Sequence, residues 1–245
     1  MDIHKPKPWH NIREFLKEYA IIVLGVLTAL SAEQVAEGLR ENKSAREARE
    51  AIREELAVDI SDELTRRQGS QPCIDHRLEE IGAYLAAATD GKAPAPPNWI
   101  GRPPITLAFS GQWQASTQSG RVSLLPRQEA ADYADVHLRV QQLLDHQNEE
   151  QHSWAELRTL QRLPKLTPEA IRQFQTALSQ ARYDSWRIQL DMLRIREGGL
   201  KQGLKADPAF LPQGDQPKAR STCIPITTPP DKALAMIGSS YGDPN

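Results

Sequence analysis

The sequence predicts an all-α protein: an N-terminal transmembrane helix continuing into a stalk, then an extracytoplasmic helical bundle with an irregular C-terminal tail. Three observations lead there. Tyr19 to Ala32 reads YAIIVLGVLTALSA, fourteen residues without a charge. Downstream, apolar residues recur at spacings of three and four, the period of an amphipathic helix. The only cysteines, Cys73 and Cys223, both follow the apolar run. A disulfide between them would persist only in an oxidising compartment such as the periplasm.

The chain has 245 residues, enough for one sizeable domain or two small ones. Thirty basic against thirty-two acidic side chains leave a net charge of −2, without the basic excess that displaces counterions from a nucleic acid. No nucleic-acid partner is expected. A mean hydropathy of −0.56 argues against several membrane spans.

The apolar run is shorter than the roughly 20 residues that cross a bilayer core. Phe15 and Leu16 extend it on one side, Val35 and Ala36 on the other. Lys17, Glu18, Glu33 and Gln34 then fall at the interfaces, where long side chains snorkel. Trp9 and Tyr19 supply interfacial aromatics. Three readings compete: a retained anchor, a cleaved signal peptide with Ala29-Leu30-Ser31 at its end, and a buried helix of a soluble protein. The anchor is preferred, because the preceding region carries Asp2, Glu14 and Glu18 and because the run is apolar on every face. Basic residues on its two sides nearly balance, so the cysteines decide the orientation. Residues 1–18 are then a cytoplasmic N-terminus, 19–36 the transmembrane helix, 37–204 the stalk and bundle, and 205–245 an irregular tail. The bilayer is the first expected partner, and the expected location is a bacterial inner membrane with most of the chain periplasmic.

Between Glu33 and Arg67 there is no proline, and Ala45, Ala48, Ile52, Leu56, Ile60 and Leu64 form one apolar stripe. Anchor and stalk therefore read as one helix of about 55 residues. Gly69-Ser-Gln-Pro72 breaks it. A helix from Cys73 to Ala88 carries Ile74, Leu78, Ile81 and Leu85 on one face, and a Pro/Gly-rich connection fills 89–104. Leu107 to Ser119 makes a short helix around Trp113, closed by Gly120; a long helix runs from Arg127 to Leu163. Thr167-Pro168-Glu169 is a strong helix start. Its helix runs to about Gly198 with the stripe Ile171, Phe174, Leu178, Ala181, Ser185, Ile188, Met192, Ile195. A second stripe, Tyr183, Trp186, Leu190 and Leu193, is expected to widen the buried face, as in a bundle.

The chain carries few residues in catalytic or metal-binding patterns. Glu149-x-x-His152 is half of a di-iron motif, but no second ExxH exists in the chain. His146 and Glu150 share a face, which makes two ligands at most. A solvated face or a polar layer between helices explains them better. His76 and His137 are expected to be surface or satisfied histidines. Gly198 and Gly203 are read as helix termination, since Leu204 stands where a phosphate-loop lysine would be. Trp113, Trp154 and Trp186 are read chiefly as core. No catalytic residue, metal ligand or cofactor is expected. The best candidate binding surface is the small, polar stretch around Trp113, with Gln114, Ser116 and Ser119. For the cysteines, residue parity leaves a Cys73–Cys223 bridge and two buried free thiols both open.

Three patches carry a resemblance: Phe15 to Gln34, Pro72-Cys-Ile-Asp-His-Arg-Leu78, and Trp113 to Leu125 leading into Pro126. Together they resemble a family of bacterial proteins of uncharacterised function with an N-terminal anchor, a Pro-Cys helix start, a central tryptophan motif and a late cysteine. The resemblance implies membrane anchoring and favours the Cys73–Cys223 bridge. It implies no activity or substrate. The expected function is accordingly non-enzymatic: a membrane-tethered helical protein that binds or organises an envelope partner, or pairs as a homodimer. An extracytoplasmic ligand-sensing bundle acting through another protein is the alternative. An enzyme with an unrecognised site comes third.

Overall fold

A computed structural model describes residues 12–92, 95–105, 108–204 and 220–237. Helix α1, Ile12–Arg66, spans 55 residues without interruption, about 80 Å at 1.5 Å per residue. It is followed by α2 (Gln71–Thr89), α3 (Gly111–Gln118), α4 (Arg127–Arg158), α5 (Pro168–Lys201) and α6 (Pro230–Ile237). Among the described residues there is no strand.

The apolar first part of α1 is bare: Ile21, Ile22, Leu24, Val26, Leu27 and Leu30 are all exposed. No packing within the chain covers it, so it is not a buried core helix of this fold. It is the one described helix long and apolar enough to cross a membrane. Further along, the stripe predicted from 3-4 spacing turns inward, with Ala45, Ala48, Ile52, Leu56 and Ile60 buried. The side chain of Leu64 lies outside the described residues.

The bundle has three members. Helices α4 and α5 form an antiparallel hairpin, with Val136 against Gly198 at one end and Gln173 bonded to Glu156 at the other. The third member is composite. The end of α1 packs along the half of the hairpin where Arg53 binds the Gln202 carbonyl, and α2 continues along the other half. A tight turn at 68–70 joins them, where Gly69 and Pro72 break the helix as expected. Thr167 caps α5 by accepting from the Ala170 N–H, satisfying one of the donors every helix start leaves open.

Two apolar clusters result. One joins Ile52, Leu56 and Ile60 of α1 to Tyr133, Val140 and Leu143 of α4 and Ile188 and Ile195 of α5. The other joins Ile74, Leu78, Ile81 and Leu85 of α2 to Trp154 and Leu157 of α4 and Phe174, Leu178 and Ala181 of α5. Close approach near the base depends on glycine. A Cβ at Gly198 would lie 2.7 Å from Val136, and one at Gly199 would lie 2.5 Å from Ile60. Gly198 is thus interior to α5, not its terminator. Gly203, with φ of +69°, closes the helix instead.

Two further expectations are corrected. The second stripe of α5 is not buried: Tyr183 is 52% exposed, Trp186 56% and Leu193 40%. The neighbours explain why. Helix α5 meets α1, α2 and α4 on one side, where Asp184, Ser185 and Asp191 are buried against polar partners, and among the described residues no helix covers Tyr183, Trp186 and Leu193 on the other. The tail is not wholly irregular either. Its described part folds into a 3-10 turn at Ser221–Cys223 and the helix α6, whose Ala233 and Ile237 pack on Trp99 and Ile224. Residues 205–219 and 238–245 of the tail lie outside the described residues, as do residues 1–11, including Trp9, and Leu107.

Candidate functional site

The surface expected around Trp113 divides in two. Helix α3 is docked on the stalk by its own N-terminus: Glu55 accepts from the Gln112 and Trp113 N–H groups at 2.7 and 3.2 Å, and Asp59 accepts from the Phe109 N–H at 2.9 Å. Carboxylates placed there satisfy open donors and complement the positive end of the helix. With that docking fixed, Trp113 turns inward and stacks on His137 with ring centroids 4.8 Å apart, and Ser116 is buried. Gln114 and Ser119 face solvent, and their side chains bond within their own segment, to Ser110 and to the Ala115 carbonyl. The four residues do not share one surface.

His137 is neither exposed nor satisfied. It is 3% exposed, and neither ring nitrogen has a hydrogen-bond partner among the described residues. Burial pushes its pKa down to about 4, because a charged imidazole there would lose its hydration without a compensating partner.

The polar interruption of α4 becomes a layer between the two apolar clusters. Arg67 donates to both oxygens of Glu150, at 2.6 and 2.7 Å, and its Nη2 also reaches Ser185 at 3.3 Å. Gln71 donates to Ser185 and to Asp75 at 2.9 and 2.8 Å. Ser153 and Gln180 donate to the buried Asp184. Burial pushes the Glu150 carboxyl above the usual carboxylate range; Arg67 opposes that shift and nearby Asp184 adds to it. The half-motif for di-iron is not assembled. Glu149 bonds Arg187, His152 is exposed, Glu150 is taken by Arg67, and His146 pairs with Asp191 at 2.5 Å. Among the described residues no group of three or more His, Cys, Asp and Glu side chains could hold a metal ion. What this arrangement can do is fix helix register.

The cysteines come together. Cys73 and Cys223 form a bridge with S–S 2.06 Å and Cα–Cα 4.9 Å across 150 positions of sequence. One turn along α2, Arg77 inserts its guanidinium between the segment at 99–100 and the segment at 222–224 that carries Cys223. It donates to the carbonyls of Trp99, Ile100, Thr222 and Ile224, and to Glu80. Burial lowers its pKa. Gly101, with φ of +75°, is required by this contact, because a Cβ there would lie 2.6 Å from the Ser221 carbonyl oxygen. Beside the bridge lies a cleft of about 90 Å³ lined by Trp99, Pro103, Ile105, Leu234 and Ile237, together with Arg102, Arg158 and Arg220.

Sequence reasoning missed Arg67 and Arg77, since both sit in stretches that read as solvated. The only signal was position: Arg77 follows Cys73 by four residues, and Asp184 flanks the stripe at Ser185. Tryptophan was also read too uniformly. Trp154 is fully buried, Trp113 half-buried, and Trp186 exposed.

The chain matches no known family model, no curated protein and no solved structure.

Proposed function

We propose that this protein is a single-pass, membrane-tethered adaptor whose bundle stands in the periplasm of a bacterial cell and holds an envelope partner. One observation carries the reading: the same continuous helix presents an uncovered apolar segment at one end and the core of a disulfide-stapled bundle at the other. The uncovered segment needs an apolar solvent, and the bilayer supplies one. The bridge needs an oxidising compartment. The buried ion pair Arg67–Glu150 and the bonds around Asp184 and Ser185 act within the bundle as structural contacts, which favours binding over catalysis as its role.

The test is affinity purification of the tagged, membrane-extracted protein followed by mass spectrometry, with alkaline carbonate extraction of membranes in parallel. Stoichiometric recovery of an envelope protein and retention in the carbonate-washed membrane are expected. A lone chain released by carbonate would overturn the reading. Non-reducing electrophoresis of the cell-derived protein checks topology, and two free thiols there would contradict the orientation.

A second reading, a ligand-sensing bundle, is favoured by the cleft beside the Cys73–Cys223 bridge, whose largely apolar walls suit a small apolar molecule. Recovery of a monomer carrying such a molecule would replace the tether with a sensor.

A further inference from the structure

The exposed stripe of α5 is longer than the four residues that first mark it. Tyr183, Trp186, Leu190, Leu193, Glu197 and Leu200 follow one another at spacings of 3-4-3-4-3, the a and d positions of a coiled-coil seam. Leu200 is 56% exposed, Trp186 56% and Tyr183 52%, and the Tyr183 and Trp186 rings stack on one another. A seam of this regularity is the geometry that receives another helix.

The residues flanking the seam are basic. The e and g positions hold Arg182, Arg187, Gln189, Arg194, Arg196 and Lys201, and the one acid α5 contributes to this surface is Glu197, in the seam itself. Glu149 of α4 offsets only Arg187. Alongside Leu193 runs a groove of about 210 Å³, lined by Ile60, Gln68, Gln71, Gln189, Met192 and Arg196. Gln71, nine-tenths buried, spends its amide N–H groups on Asp75 and Ser185, and its Oε1 has no partner among the described residues.

Two occupants fail on charge and distance. In two copies of this chain anchored in one membrane, the α5 helices would run parallel. Arg182 would then face Arg187 and Arg196 would face Lys201, two like-charged pairs, while Gln189 facing Arg194 would offer nothing to offset them. The bilayer is out of reach: Arg53, bonded to Gln202 at the base of α5, stands about 25 Å along α1 from Ala36.

We infer that the outer face of α5 is a docking seam for an amphipathic helix of another protein whose flanking positions are acidic. Its apolar side chains cover Trp186, Leu190 and Leu193, and its carboxylates meet Arg194, Arg196 and Lys201. This rests on the tethering reading above and gives that reading a surface and a partner chemistry.

The test uses the full-length protein in nanodiscs and two labelled helical peptides of about four heptads. Both carry Leu at a and d; one has Glu at e and g, the other Lys. The Glu peptide is expected to bind at least tenfold tighter than the Lys peptide, and more weakly in high salt. Trp186→Ala and Leu193→Glu are expected to lower that affinity at least tenfold with the thermal melt unchanged, since both side chains lie outside the core. Equal binding of the two peptides, binding of neither, or variants that bind like wild type would overturn the inference. So would light scattering that finds a wild-type dimer converted to monomer by Leu193→Glu, which assigns the face to a second copy. A Glu peptide that binds while no envelope protein co-purifies removes the tethering reading alone. A partner that still co-purifies with the seam variants removes the seam alone.

Discussion

Arg67 and Glu150 form a two-pronged ion pair, 2.6 and 2.7 Å, in which neither side chain reaches solvent. It ties the end of α1 to the middle of α4 at the level where the two apolar clusters meet. A pair so buried contributes little net stability, because desolvating both ions offsets their attraction, but removing one partner strands the other.

Arg67→Met is therefore expected to lower unfolding stability by about 3–5 kcal/mol. The double variant Arg67→Met/Glu150→Leu should recover most of that loss. Urea denaturation of the two variants and wild type measures the coupling. A double variant as unstable as the single one would show that the pair is not isolated from the rest of the layer.

His137 makes stability fall with acid. Its folded pKa is held down to about 4 by burial, below the ordinary 6.5. The unfolded chain thus binds a proton first as pH falls, and the stabilisation present above pH 6.5 is lost between 6.5 and about 4. The expected slope is about 1.4 kcal/mol per pH unit. His137→Phe should remove that slope while keeping the stack on Trp113; melting curves across pH 4–7 compare the two.

The staple joins covalent and polar contacts at one place. Replacing Cys73 and Cys223 with Ser is expected to cost about 2–5 kcal/mol, since the bridge closes a very long loop. Arg77→Met should cost a comparable amount with the bridge intact, because it leaves buried carbonyls of Trp99, Ile100 and Ile224 without their donor. Limited proteolysis should cut after residue 220 in both variants and spare wild type.

Glu55→Ala removes the acceptor for two N–H groups at the start of α3. A loss of about 1 kcal/mol is expected, with a red shift of the emission from Trp113 as α3 loosens from the stalk. Trp113→Phe, measured alongside, assigns the signal among the five tryptophans. An unchanged spectrum would mean that the Trp113 contact with His137, not the capping, holds α3.

The periodic features of the chain were legible from its sequence. An unbroken run of helix formers with one apolar stripe specifies a long α1; Thr167-Pro168 specifies where α5 begins; Gly69 and Pro72 specify the break before α2. These are local matters of backbone preference and spacing, and each lies within a few residues of its cause. The apolar faces of α1 and α2 followed from period alone. Partner choice did not. Whether Tyr183 and Trp186 are covered depends on how many helices surround α5, and spacing cannot count neighbours. Arg67, Arg77 and His137 look like solvated residues in sequence, yet distant segments bury them: Arg67 meets Glu150 across 83 positions and Arg77 meets Ile224 across 147. The pairing of Cys73 with Cys223 stayed open for the same reason. Sequence by itself determined which segments are helical and which faces are apolar, because those follow from short-range geometry. Only the tertiary structure decided which apolar face stays bare and which charges are buried, because both depend on contacts between residues far apart in the chain.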